Sequence, residues 1–313
     1  MSRKGVLFLV AVPVVATAGV YFLPPLGSGD PPASPPLSAD RSPGRSGDQS
    51  AGRSAREEAK DRAEQERAAD DARIAAQPPG LAAPEKKELA QRLVASAESS
   101  TLDWRSLYGS IEDHGDGQGY TAGIIGFCTG THDLLMLVER YSQAHPGNGL
   151  ERYLPALRKV DGTDSHAGLD PDFTAAWRAE AERPEFRRAQ QEERDRVYFG
   201  PSVRLAKLDG LSTLGQFVYY DAMVFHGPDT GADGFYGLRE RALQQARTPA
   251  AGGSEREFLE AFLDVRRKAM KAKRPDVDTS RVDTVQRRFL AAGNTGLDTP
   301  LVWEMYGETF RVP

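Results

Sequence analysis

A single cysteine, Cys128, stands among 313 residues. No disulfide can form within the chain, and no cluster of thiolates can hold a metal. Five histidines (His114, His132, His145, His166 and His226) show neither His-x-x-x-His nor His-Glu-x-x-His spacing, so the usual sequence signs of a catalytic zinc are missing. No Gly-x-Ser-x-Gly elbow occurs, which leaves a hydrolase of that serine type without its nucleophile. Neither a metal nor a cofactor is expected. Only one apolar run approaches the roughly 20 residues of a membrane span, and it lies at the extreme N-terminus.

That run, in "MSRKGVLFLVAVPVVATAGVYFL", follows two basic residues and contains Ala16-Thr17-Ala18, a small-residue pattern suited to cleavage after Ala18. Residues 1–23 therefore read as a secretory signal peptide, with an uncleaved membrane anchor as the alternative because the run continues from Val20 to Leu23. Pro13 and the Ala-x-Ala pattern favour cleavage. The expectation is a secreted, extracellular protein, or one tethered to a membrane and facing outside if the segment is retained.

Residues 24–53 are rich in Pro, Ser, Gly and Asp, and 54–76 alternate charge signs with almost no large apolar side chain. The first composition cannot bury enough surface to offset ordering entropy, and a helix in the second would be solvated and marginal. A disordered linker is expected over 24–80, ending at "QPPG" at 77–80, with the folded domain at 81–313. Residues 1–81 carry ten Lys or Arg and ten Asp or Glu, so the whole formal charge of −5 falls on the rest of the chain. An acidic domain suits a cationic ligand better than nucleic acid, although an excess this small is common. A monomer is expected.

Within 81–313 the dominant period is helical. Pro84 with Glu85 suits a helix start, and Leu89, Leu93, Val94 and Ala97 mark one apolar stripe bordered by Glu98. Leu134, Leu137, Val138 and Tyr141 repeat that spacing after Thr131 as a cap. Leu211 to Phe225 is apolar nearly all round and reads as a central buried helix, while Phe258, Phe262, Val265 and Ala269 mark another amphipathic one. Strand signal is confined to stretches such as "GIIGF" at 123–127. The fold class is mainly α with a small β element.

The stretch "GDGQGYTAGIIGF", from Gly115 to Phe127, concentrates five glycines. Gly117 to Ala122 formally fits G-x-G-x-x-A, but no apolar strand precedes it, so a dinucleotide site is excluded. Asp113 and Asp116 are three apart, where a calcium loop needs ligands at alternate positions. A pair of carboxyls in contrasting settings remains: Glu98 at the end of an amphipathic helix, and Asp116 in the glycine loop. A carboxyl against apolar surface can stay protonated as a general acid, while one in a polar loop stays ionised as a base. Glycosidic cleavage requires that division. Equally, the two can be a solvated helix-end residue and a turn residue.

The run "KKELAQRLVASAESSTLDWRSLYGSIEDHGDGQGYTAGIIGFCTGTHDLL" resembles the N-terminal lobe of glycoside hydrolase family 46 chitosanases of the secreted, actinobacterial type. The likeness continues through "RYLPALRKV", "QQEERDRVYF", "LGQFVYYDAMVFHGP", "ARTPAAGG", "FLDVRRKAM" and "DTSRVDTVQRRFLAAGN" to "YGE", and so covers essentially all of 81–313. The resemblance implies a two-lobed, lysozyme-like fold with a cleft between the lobes, and endo-hydrolysis of β-1,4 bonds between glucosamine units of chitosan with inversion. It implies Glu98 as general acid, Asp116 as general base and Thr121 as a residue that positions the attacking water. Inversion goes with carboxyls roughly 6.5–9.5 Å apart. Asp221, inside an apolar helix, needs a cationic partner, and the family motifs supply Arg266 and Arg281 as a network behind the acid. Asp133 matches a carboxylate that faces the bound sugar and its ammonium; Tyr198, His226 and Pro228 match segments that line the cleft. Gln118, Ser99 and the stretch Lys271–Val277 depart from the family pattern, which bears on subsites and product lengths. Trp104, Trp177 and Trp303 read as core. Two rivals are kept: a lysozyme-like hydrolase of N-acetylated polysaccharide, and a non-catalytic polysaccharide-binding protein.

Overall fold

The computed structural model describes residues 47–313, with side chains from residue 57 onward; the segment read as a signal peptide or anchor lies outside the described residues. The chain divides into Met1–Glu57 and Glu58–Pro313, and the second unit carries the site. Residues Gly47–Ala75 form one continuous helix, α1, whose described side chains are almost all exposed. Its lack of large apolar residues leaves it nothing to bury. Among the described residues no helix is long and apolar enough to cross a membrane. At the following boundary Gln77 donates to Lys207 O, and the Lys207 ammonium donates to Pro78 O at 2.9 Å.

Helix α2, Pro84–Ser99, starts with proline in its first turn, where the missing N–H costs nothing. It buries the expected stripe of Leu89, Leu93, Val94 and Ala97. Ser100 ends it in the left-handed region at φ 48°. A three-stranded antiparallel sheet follows: β1 Ile111–Asp113, β2 Tyr120–Ala122 and β3 Phe127–Cys128. The strand expected through "GIIGF" is split, because Gly123–Gly126 form the turn between β2 and β3, closed by Gly126 N–H to Gly123 O at 3.3 Å. Helices α3 (Asp133–Ala144), α4 (Leu154–Val160), α5 (Phe173–Ala181) and α6 (Pro184–Arg194) pack beside this sheet and complete one lobe. His132, not Thr131, occupies the N-cap position of α3, in a left-handed conformation.

A π-helical turn at Asp195–Phe199 fuses α6 to α7, Gly200–Leu208, giving one unbroken helical run between the lobes. The second lobe is built on α8, Thr213–His226, whose residues from Leu214 to Met223 are all buried, as an apolar circumference dictates. Around it lie α9 (Phe235–Leu243), α10 (Glu255–Lys273, capped by Ser254), a second π turn at Arg281–Gln286 running into α11 (Arg287–Ala291), and the hairpin β4 (Leu301–Met305) with β5 (Glu308–Val312). That hairpin adds strand the helical periodicity did not predict. Leu301, Trp303 and Met305 point inward in alternation. The three tryptophans are core residues, each with its indole N–H satisfied: Trp104 by Glu88, Trp177 by Tyr108 O, Trp303 by Ser96. The fold is mainly α and two-lobed, with α2 and the α6–α7 run passing between the lobes.

Candidate active site

Glu98 sits in the last turn of α2, where the helix emerges from the core; its side chain keeps about a quarter of its surface, 27 %. Arg281, from the second π turn, donates to Glu98 Oε1 at 2.5 Å. The other oxygen faces the sheet: a Cβ built on Gly126 would lie 4.0 Å from Glu98 Oε2 and 3.1 Å from Thr121 Cγ2. The β2–β3 turn thus passes beside the carboxyl and brings Thr121 to it. Gly126 is at φ +72°, and any side chain there would enter the space between Glu98 and Thr121. One oxygen is held and one is open, an arrangement able to deliver a proton.

Asp116 lies in the loop between β1 and β2, flanked by Gly115 and Gly117, both at positive φ. It is exposed, and its Oδ1 accepts the Gln118 N–H at 3.2 Å in an Asx turn. Gly119 closes this loop against the lobe: at φ +65°, a Cβ there would stand 2.3 Å from Thr129 Oγ1. Gln118, one of the departures from the family pattern, anchors the loop by its backbone, its carbonyl accepting Gly130 N–H at 2.9 Å and the Thr129 hydroxyl at 3.3 Å. Asp116 and Thr121 are therefore carried by one hairpin of the first lobe, and Glu98 by the helix that enters the second.

Behind Glu98 the expected ion network is present. Arg266, 0 % exposed, donates to Asp221 Oδ2 at 2.7 Å, and Arg281 Nη2 lies 3.7 Å from Asp221 Oδ1 while holding Glu98. Asp221 is fully buried, which alone would raise its pKa, yet Arg281 and Arg266 hold the carboxyl below its ordinary value. Burial pushes Arg266 below the ordinary arginine value, and the same two carboxylates, Asp221 and Glu98, counter the burial of Arg281 enough to raise it. Sequence reasoning missed Gln286, which donates to Asp221 Oδ2 at 2.7 Å and accepts from Arg266 at 3.0 Å. Its place in "VDTVQRR" five residues after Arg281 was a usable signal once the segment was seen as helical.

The four residues read as substrate-binding, Asp133, Tyr198, His226 and Pro228, differ in depth. Pro228 is exposed, and His226 is half-buried at the end of α8. His226 Nδ1 lies 2.9 Å from Asp233 O, which can only accept, so Nδ1 carries the proton and Nε2 receives the Arg266 Nε–H at 3.4 Å. Burial, with Arg266 beside it, drives His226 well below the ordinary imidazole value, so the ring is neutral. Asp133 and Tyr198 lie deeper. Asp133 is only 8 % exposed: Oδ1 accepts from Cys128 N, Leu134 N and the Thr131 hydroxyl, and Oδ2 from the Tyr198 hydroxyl at 2.6 Å. Both oxygens are thus engaged inside the protein, and Tyr198 is buried with its hydroxyl directed at Asp133. Burial raises the Asp133 pKa to about 6 against these four donors. Tyr306, at the turn of the β4–β5 hairpin, was not singled out in the sequence; it is 47 % exposed, and its hydroxyl donates to Ala97 O at 2.7 Å, next to Glu98.

Fold and site together define a lysozyme-like carbohydrase class, with a carboxyl on the emerging end of a helix facing a small sheet across a cleft. The family model of glycosyl hydrolase family 46 matches residues 92–301, and the chain belongs to that family: it is a glycoside hydrolase. A chitosanase of Streptomyces sp. (strain N174) is 55 % identical over 233 residues, 74 % of this chain and 84 % of that protein. One of Nocardioides sp. (strain N106) is 52 % identical over the same share. A solved structure of chitosanase OU01 with substrate is 51 % identical, covers 76 % of this chain and all of its own, and superposes with a TM-score of 0.74.

Proposed function

We propose that this chain is an endo-acting chitosanase that hydrolyses β-1,4 bonds between D-glucosamine units of chitosan with inversion at the anomeric carbon. Glu98 protonates the glycosidic oxygen through Oε2, Asp116 takes a proton from the attacking water, and Thr121 holds that water. The arrangement that carries this reading is Glu98 with Oε1 fixed by Arg281 and Oε2 turned toward the strand that bears Thr121, in a chain so close to known chitosanases. Asp221, Arg266 and Arg281 steady the acid from behind. Pro228 and the neutral His226 line the cleft. Asp133, held with Tyr198 beneath its surface, attracts a glucosamine ammonium by charge when ionised. No cofactor takes part. The catalytic domain is residues 81–313, exported by residues 1–23 and spaced by 24–80, within which α1 is a solvated helix.

Proton NMR of the first products released from a chitosan oligomer tests substrate, activity and stereochemistry together. Initial accumulation of the α anomer is expected, with Glu98→Gln losing at least about a thousandfold in kcat while still folding, since it removes the proton donor. Predominant β product, activity that rises with acetylation of the polymer, or an unimpaired Glu98→Gln variant would each overturn the reading.

A further inference from the structure

The proposed function leaves open how the Thr121 hydroxyl is used, since a hydroxyl can give one hydrogen bond and take two. Its position is set by the β2–β3 pairing, in which Thr121 stands directly opposite Cys128. Thr121 Oγ1 and Cys128 Sγ are 3.3 Å apart. The thiol also reaches Gly126 O at 3.1 Å, and Thr131 Oγ1 lies at hydrogen-bonding range of the sulfur. These oxygen neighbours differ in what they can offer. Gly126 O is a carbonyl and can only accept, and the Thr131 hydroxyl has committed its proton to Asp133 Oδ1 at 2.8 Å. The single thiol proton is therefore drawn to oxygens that have none to return, and the one remaining group able to donate to sulfur is the Thr121 hydroxyl.

We propose that Cys128 is a positioning residue: by accepting a hydrogen bond from the Thr121 hydroxyl at its sulfur, it turns Thr121 into a pure hydrogen-bond acceptor toward the attacking water. This rests on the reading of Thr121 as the holder of that water. The consequence is stereochemical. A water that meets only acceptors, Thr121 Oγ1 and the Asp116 carboxylate, points both hydrogens at the protein and leaves a lone pair for the anomeric carbon. In the step itself the water oxygen bonds to that carbon, Asp116 takes one water proton, the glycosidic C–O bond breaks, and the proton of Glu98 passes to the departing oxygen. Burial pushes the Cys128 thiol up to about 12, so the sulfur keeps its proton and its place in this chain throughout the neutral range. The geometry is fixed from the other side too, because Cys128 N–H donates to Asp133 Oδ1 at 2.8 Å.

A double-mutant cycle on the full chain with a glucosamine hexamer tests the assignment. Cys128→Ala is expected to lower kcat at least fivefold with KM changed less than twofold, and Cys128→Ser, which can both give and accept, to restore kcat to within twofold of wild type. In a Thr121→Val background, Cys128→Ala should change kcat less than twofold, since the hydroxyl it orients is gone. Equal losses in both backgrounds, or a Cys128→Ala enzyme with wild-type kcat, would overturn the proposal. Should Cys128→Ala fail to fold by its thermal transition, Cys128→Val, which fills the site without an acceptor, takes its place in the cycle with the same expectations. If wild type fails to cleave the hexamer, the chitosanase reading falls instead; an active wild type with an additive cycle sinks only this inference.

Discussion

Replacing Asp221 by asparagine should destabilise the second lobe and disable Glu98 together. The side chain is fully buried, accepts from Arg266 and Gln286 at 2.7 Å each, and stands 3.7 Å from Arg281. Asparagine fills the same volume but leaves two buried guanidinium groups with one counter-charge, Glu98. Breaking a buried ion pair by neutralising one member costs about 3–5 kcal/mol, because the partner stays behind uncompensated. For a domain of this size each kcal/mol moves the midpoint by roughly 2–4 °C, so Asp221→Asn should melt about 6–20 °C below wild type at pH 7. The gap should close in acid. The folded pKa of Asp221 is lowered, so its contribution is complete above the unfolded carboxylate value near pH 4 and is lost as pH falls through the lower folded value. A companion variant, Asp221→Leu with Arg266→Met, removes charge from both sides and should recover most of the melting temperature, as apolar replacements of buried pairs commonly do. It should not recover activity, because Arg281 then pulls on Glu98 alone. Calorimetry across pH 3–7, with kcat measured well below each midpoint, decides the matter. An Asp221→Asn protein within about 1 kcal/mol of wild type at pH 7 would refute the reasoning.

Ionising Asp133 should cost stability between about pH 4 and pH 6, since its folded pKa of about 6 lies above the unfolded value; stability is complete below that window and falls through it. The shift corresponds to an upper bound of about 3 kcal/mol. Asp133→Asn, whose amide still accepts from Cys128 and Leu134, should flatten that slope in urea titrations at pH 4 and 6.5, and parallel slopes in the two proteins would disprove it. In the glycine loop, Gly119→Ala must push its Cβ against Thr129 Oγ1 at 2.3 Å and the Asp164 backbone at 3.2 Å, whereas Gly117→Ala, at φ +85°, meets nothing within 4 Å. Backbone strain alone is about 1–2 kcal/mol, so thermal melts should show Gly119→Ala as the more damaging of the two, and equal effects would contradict the close approach.

Much of this was legible before folding because it depends on local pattern. The stripe through Leu89, Leu93 and Val94, and the all-round apolar α8, follow from a period of 3.6, and burial of Asp221 in α8 demanded a cation wherever the chain could bring one. The identity of that cation was not local: Arg266 and Arg281 lie 45 and 60 residues away from it, and family resemblance, not spacing, supplied them. Gln286 escaped because an amide among charges has no distinguishing pattern until the π turn aligns it with Arg281. Asp133 was read from family resemblance as a carboxylate facing the bound sugar, and nothing local spoke against exposure, since a first-turn carboxylate in a helix is commonly solvated. Only the long-range placement of Tyr198 and the tight Cys128–Asp133 turn, which send four donors to it, bury it instead. The β4–β5 hairpin carried an alternating signal in Leu301, Trp303 and Met305, but five residues of alternation in a helical chain are weak evidence on their own.

The two sides of the cleft are built on different physics, and this division suits the chemistry. Glu98 is backed by charge: Arg281, Asp221 and Arg266 form a buried ionic row whose members fix one another with fixed sign. Thr121 is backed by a chain of hydrogen bonds running through Cys128, by its neutral thiol to Thr131 and by its backbone N–H to Asp133, and on to Tyr198. In the proposed mechanism the proton donor must return to the same protonation state after each turnover, which a rigid electrostatic frame favours. A water must be replaced each time by a new molecule, so what matters there is direction, not charge, and weak directional contacts set it. Both π turns supply these frames, one bearing Tyr198 and the other Arg281 and Gln286, consistent with the tendency of such bulges to re-aim side chains at functional sites. Shortening either turn by one residue would shift every following side chain of its helix by about 100°, moving Tyr198 off Asp133 in one case and Gln286 off Asp221 in the other, and so would uncouple one side of the cleft while leaving the other intact.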